Sequence, residues 1–244
     1  MSFDWIVRII SDNWQMFLRG AGMTLYISLI GTVLGAVIGL VAGIIRTIPV
    51  PERGIKKIIL KLINIILSIY IEFFRGTPMI VQAMVIYYGS ALAFNIDMNV
   101  ILAAVIVVSI NTGAYMAEIV RGGIVSVDKG QFEAAQAIGM NHFQTMMNVV
   151  LPQVIRNILP ATGNQFVINI KDTSVLNVIS VSELYFLTKS VAGNNFRYFE
   201  SFFVACILYF VMTFIVTRIL LYFERKLEGP ENYKMHEEEI QPAR

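Results

Sequence analysis

Five mostly apolar runs, each near the length of a membrane-crossing helix, constrain this chain more than any other feature. They occupy residues 21–45, 78–95, 99–119, 158–180 and 200–222. A helix needs about 20 apolar residues to cross the hydrocarbon core. Within lipid, only helices and closed barrels satisfy their own backbone polar groups. Of the 244 residues, 56% are hydrophobic, 15% are charged, and the mean hydropathy is +0.66. A soluble domain of this size could not cover so much apolar surface. The expected fold class is therefore all-α integral membrane, a helical bundle of about five transmembrane helices.

Charge excludes some partners and orients the spans. The net charge of +2 comes from cations scattered between spans, with no patch suited to nucleic acid. The link after the first span holds Arg46, Arg53, Lys56, Lys57 and Lys61 against Glu52, and Arg225 and Lys226 follow the last span. The positive-inside rule puts both regions in the cytoplasm. Five spans with the N-terminus outside and the C-terminus in the cytoplasm satisfy this. A sixth apolar stretch, 55–74, would break it by crossing, so it is expected to lie along or dip into the cytoplasmic face. Residues 1–19 carry Asp4, Arg8, Asp12 and Arg19 without a long apolar core. They read as an interfacial segment anchored by Trp5, Trp14 and Phe17 rather than as a cleavable signal. The expected organisation is this segment, a transmembrane domain over 20–226, and a polar cytoplasmic tail over 227–244, read as disordered. Gly31, Gly35, Gly39 and Gly43 line one face of the first span and permit close helix approach, within the chain or between subunits.

The loop over 128–152 is structured where most such links are formless. Asp128 and Gln131 have capping-box spacing, and a run of helix formers through Glu133, Ala134 and Ala135 follows. Gly139 is placed as a left-handed cap, where a bulky side chain would not fit a tight bend. Asn141 and Gln144 repeat the capping-box spacing, and Pro152 marks entry to the next span. Ile138, Met140 and Phe143 cluster at the bend, which suits docking into a groove of another protein. An amphipathic surface helix that only seals the bundle would share this pattern.

The fourth span is polar at depth. Gln165, Asn169 and Asp172 recur on one helix face, flanked by Asn164 and Lys171. Such residues face a water-filled path or pair with one another. Gln82, Tyr87 and Tyr88 in the second span, and Ser109 and Asn111 in the third, are further path candidates. Glu118 and Arg121 read best as an ion pair at the membrane edge, and Glu72 and Arg75 as an i,i+3 pair. The chain has no phosphate-binding Gly-x-x-x-x-Gly-Lys-Ser/Thr run, no nucleophile–base set, and no histidine with a second ligand at metal-site spacing. No enzyme chemistry is expected of it. Cys206 is the single cysteine, so no disulfide framework exists.

Glu133-Ala134-Ala135, Gly139 and Leu151-Pro152 resemble the cytoplasmic loop of permease subunits of ABC-type importers. Three further segments resemble the polar amino-acid branch of that family. These are Glu72 to Pro78 with Gln82, Ala117 to Ile124 followed by Gly130-Gln131, and Lys171-Asp172-Thr173-Ser174. The resemblance implies a type I importer permease with a coupling helix, in a bacterial cytoplasmic membrane. It implies that Glu133, Ala134, Ala135, Gly139, Met140 and Phe143 couple to an ATPase. It leaves open which of Gln82, Tyr88, Asn111, Asn164, Asn169, Lys171 and Asp172 touch substrate on the path. Implied partners are a cytoplasmic ATPase dimer, which would bind the ATP and Mg, a second permease of the same or a sister chain, and an extracytoplasmic solute-binding protein. The chain itself would hold no cofactor. A carrier driven by an ion gradient would also suit the polar fourth span, and a scaffold would also suit the loop.

Overall fold

Every long apolar run becomes a helix, and proline and glycine decide where the helices break. The computed structural model describes residues 3–228; the tail expected beyond Glu228 lies outside them. In chain order, the long helices are α1 (Phe3–Thr47), α2 (Ile55–Gly76), α3 (Met79–Phe94) and α4 (Val100–Val125). The loop forms α5 (Lys129–Ala137) and α6 (His142–Thr145), then a π-helical turn over Met146–Val150. After it come α7 (Leu151–Asp172), a 3₁₀ turn over Thr173–Ile179, α8 (Leu184–Asn195) and α9 (Tyr198–Glu228). No strand occurs among the described residues.

The glycine stripe sets the central contact. A Cβ on Gly31 would sit 2.4 Å from Val108, on Gly35 2.6 Å from Thr112, on Gly39 2.3 Å from Met116, and on Gly43 2.7 Å from Val120. Both residue numbers rise together by four, so α1 and α4 run parallel with their backbones nearly touching. The stripe is thus a contact within the chain. Two parallel helices joined in sequence require the chain to travel back between them. That return is made by α2 and α3 together. Ile71 packs with Ala42 and Ala117, Tyr70 Oη donates to Ile110 O at 2.7 Å, and Ala83 packs with Ala103, Ala104 and Val107.

Here the structure corrects the sequence reading. Residues 55–74 do not stay at one face of the bundle, because Tyr70 reaches the middle of α4. α3 alone has 16 residues, about 24 Å at 1.5 Å per residue, which is short of the roughly 30 Å hydrocarbon core. The second pass is one broken helix. Pro78 cannot donate to Phe74 O, so the chain turns extended at Thr77 (φ −120, ψ 147). The freed carbonyls are taken up by Gln82, whose Nε2 donates to Phe74 O and Thr77 O, both at 2.9 Å. Asn111 Nδ2 in turn donates to Gln82 Oε1 at 3.0 Å. The expected Glu72–Arg75 pair is absent among the described residues; Arg75 lies over the Tyr115 ring instead.

α7 runs antiparallel to both α4 and α9. Gly123 meets Val154 and Ile158 while Thr112 meets Asn169, and Gly163 abuts Leu220. Five passes result: α1, α2–α3, α4, α7 and α9. α1, α4 and α9 are long and apolar enough to cross singly, and the 3₁₀-extended α7 joins α8 through a 58° bend. α1 also differs from expectation. Residues 1–19 were set apart as an interfacial segment, yet the helix is unbroken from Phe3 to Thr47. Ile6, Ile9 and Phe17 are buried against Leu184, Val191 and Val204, so Phe17 packs inward rather than anchoring outward.

Gly39→Val should destabilise the bundle by several kcal/mol, because Met116 backbone leaves no room to relax. Gly22→Ala, where nothing lies within 4 Å of the added carbon, should leave thermal unfolding in detergent unchanged.

Candidate coupling loop and membrane path

α5 and α6 form a knuckle closed by local hydrogen bonds. Asp128 Oδ1 accepts from Gly130 N at 2.6 Å and caps α5. Its expected capping-box partner, Gln131, reaches instead toward Gln153 at 3.5 Å. Gly139 takes φ +83, and the turn closes through Gly139 N to Gln136 O (2.9 Å) and Met140 N to Ala135 O (3.0 Å). Space at Gly139 is open. The constraint there is its left-handed backbone, which costs an L-residue about 1–2 kcal/mol, and not the tightness of the bend. The second capping box forms fully, with Asn141 Oδ1 accepting from Gln144 N and Gln144 Oε1 accepting from Asn141 N.

One face of the knuckle is rooted and the other is bare. Val127, Phe132 and Met146 pack with Val120, Ile124, Val150 and Val154, which ties the loop to α4 and α7. Ile138 and Phe143 are 75% and 72% exposed. Glu133, Ala134 and Gly139 are exposed beside them, and Met140 is half-buried. Ala135 departs from the expected set: it is 3% exposed and faces inward, because its helix position coincides with the packed side. Behind the knuckle, the Glu118 carboxylate bonds Arg46 from α1 and Arg121 at 3.0 Å. The Glu118–Arg121 pair expected from sequence is present, and Arg46 joins it.

The path candidates divide into two groups. Gln82, Asn111 and Asn169 are buried and fully engaged with the protein. Asn169 Nδ2 donates to Thr32 Oγ1 (2.8 Å) and Thr112 Oγ1 (2.9 Å), so it joins α7 to α1 and α4. Gln165 Nε2 reaches Asn169 Oδ1 at 3.4 Å. Tyr88, Asn164, Lys171 and Asp172 are exposed. The expected common face of Gln165, Asn169 and Asp172 is therefore split. The first two point into the bundle, while Asp172 is exposed where α7 tightens into the 3₁₀ turn. No Lys171–Asp172 ion pair forms among the described residues.

A different polar row appears on α7. Gln153, Asn157, Asn164 and Lys171 are all exposed, four and then seven residues apart, which places them on one face. Two polar-edged grooves lie along it, one of about 290 Å³ at Pro152, Gln153, Arg156 and Asn157, and one of about 320 Å³ where Lys171 and Arg218 face Thr213 and Phe214. The seven-residue spacing was available in the sequence, but only burial separates this row from its neighbours.

Sequence reasoning also missed Glu183. It is fully buried, caps α8 through Tyr185 N (2.8 Å) and Phe186 N (2.7 Å), and accepts from Tyr209 Oη at 2.9 Å. Its signal was an acid just ahead of an apolar helical run.

Comparison with known proteins follows the same geometry. Residues 58–229 match the family described as binding-protein-dependent transport system inner membrane component. The chain is 38% identical over 232 residues to the glutamine transport system permease protein GlnP of Escherichia coli strain K12, covering 93% of this chain and 99% of that one. It is 41% identical over 165 residues to the probable amino-acid permease protein YxeN of Bacillus subtilis strain 168, covering 67% and 74%. A solved amino acid ABC transporter with histidines matches with a TM-score of 0.80 at 35% identity, over 93% of this chain and 100% of that one.

Asn169→Ala leaves two buried threonines without their partner, at a cost of about 1–3 kcal/mol. Asn164→Ala should stay within about 0.5 kcal/mol. Thermal unfolding of the two variants should therefore separate them clearly.

Proposed function

The chain belongs to the binding-protein-dependent transport system inner membrane components, and we propose that it is the permease subunit of an ATP-driven importer of polar amino acids. The observation that carries this reading is the knuckle: a rigid, doubly capped element, rooted in α4 and α7, that offers Ile138 and Phe143 to a partner. Bare apolar side chains on a fixed helical frame suit insertion into a groove of a soluble subunit.

In this mechanism a cytoplasmic ATPase dimer holds ATP and Mg and receives the knuckle, with Glu133, Ala134, Gly139, Met140 and Phe143 at or beside the contact. Closure of the ATPases pushes the knuckle. Phe132 and Met146 pass the displacement to α4 and α7 by packing. Arg46 passes it to α1 through Glu118. A second permease, the same or a sister chain, faces the α7 row, and an extracytoplasmic solute-binding protein delivers substrate. Asn164 and Lys171 line the path, with Tyr88 and Asp172 toward its far end. Lys171 suits a substrate carboxylate. Gln82, Asn111 and Asn169 hold the helices that frame the path.

Orientation follows from charge. α1, α4 and α9 point the same way, so Arg46 and the Arg225–Lys226 pair share the bundle end that carries the knuckle. That end is cytoplasmic by the positive-inside rule, and the N-terminus is outside.

Phe143→Arg combined with Ile138→Glu should release the ATPase subunit from the purified complex. ATP hydrolysis stimulated by the loaded binding protein should fall at least tenfold, with the melting temperature of the isolated chain unchanged. Full retention of the ATPase by that variant would overturn the assignment. Lys171→Ala should lower amino-acid uptake into proteoliposomes while leaving the ATPase bound.

A further inference from the structure

At the bundle end opposite the knuckle, a groove of about 280 Å³ runs between the first turns of α1 and the start of α9. Ile10, Trp14, Phe17 and Leu18 line one side, and Val204 and Ile207 the other. Its lining is apolar throughout. Two guanidinium groups flank Trp5 at its mouth: Arg197 lies 4.6 Å and Arg8 5.3 Å from the ring centroid. Both arginines precede the groove residues on their own helices, so the charges stand above the apolar channel and not within it.

These two cations share one small space, and their acids do not neutralise it. Asp12 lies 3.5 Å from Arg8, in a pair whose side chains are 68% and 59% exposed, so the arginine keeps most of its donors. Arg197 makes no ion pair among the described residues. Glu200, one turn further along α9, is buried and outside ion-pairing distance of it. A cation pair over an aromatic ring, with a dry channel beneath, is complementary to a phosphate joined to a hydrocarbon chain. Around it Phe3, Trp14, Phe196, Tyr198 and Phe199 are exposed, as aromatic residues are at the headgroup level of a bilayer.

We infer that each copy of this chain holds one phospholipid here, with an acyl chain in the α1–α9 groove and its phosphate between Arg8 and Arg197. A second copy of the chain is a poorer occupant. A two-fold contact on this face would bring two identical arginine pairs together, whereas a lipid phosphate supplies the missing charge. The bound lipid seals the seam between α1 and α9 beside Leu184, where the bend before α8 is fixed.

The test uses the two tryptophans of the chain. The full-length protein is reconstituted in phosphatidylcholine, and phosphatidylglycerol brominated on its acyl chains is titrated in. Tryptophan quenching should half-saturate at a mole fraction at least fivefold below that of the Arg8→Ala, Arg197→Ala double variant. Trp14→Phe should remove most of the signal. Ile207→Phe, which narrows the groove and keeps both arginines, should weaken binding as the double variant does. Identical quenching curves for wild type and both groove variants would overturn the proposal in favour of bulk lipid. So would rapid oxidative cross-linking of Cys206, exposed beside Ile207, into a covalent dimer with no saturable quenching, because a second copy would then occupy the groove.

Discussion

Four glycines on α1 let two membrane helices meet backbone to backbone, and the topology follows from that contact. Apolar side chains gain little by leaving lipid for one another, so close approach and dispersion must supply the association. Gly31, Gly35, Gly39 and Gly43 provide it over three helical turns against Val108, Thr112, Met116 and Val120. Because the contact is parallel, the intervening chain has to make a full return pass. The broken α2–α3 helix is that pass, and the antiparallel α7 and α9 complete the set.

The breaks in these helices are matched by polar side chains placed to absorb them. A carbonyl freed inside lipid has no water to turn to. Pro78 frees Phe74 O, and Gln82 and Asn111 bond it. The bend before α8 exposes amide groups, and the buried Glu183 caps them. Asn169 serves a related purpose without a break, tying α1, α4 and α7 where only weak apolar contacts would otherwise set their register. Polarity at membrane depth in this chain is therefore of two kinds. One kind is turned inward and bonded. The other, Gln153, Asn157, Asn164 and Lys171, is turned outward and open.

That division explains what was legible in the sequence. Caps act over three to six residues, so Gly139 and the Asn141–Gln144 box were readable, and both form. The spacing of the α1 glycines announced a close contact, but its partner lies some seventy residues away and leaves no local trace. Periodicity placed Gln165 and Asn169 on one face of α7 without saying whether it looked in or out, since a tie and a pore lining use the same residue types. Lys56, Lys57 and Lys61 made 55–74 resemble a surface helix, and Pro78 hid its continuity with α3. Ala135 sat inside a recognisable motif, yet only the packing of Phe132 and Met146 reveals which side of α5 is rooted.

α1 deserves consideration as a mechanical member. Forty-five residues without a break make a rod about 67 Å long at 1.5 Å per residue. That exceeds the roughly 40–45 Å of a whole bilayer with its headgroups, so the rod must lie tilted or stand out of the membrane. One end is gripped by Glu118 through Arg46, and the other carries Ile6 and Ile9 against α8 and α9. A tilt of about five degrees about one end carries the other end of such a rod through about 6 Å. Whatever turns the helix at the knuckle end is thus felt, enlarged, on the opposite side of the bilayer.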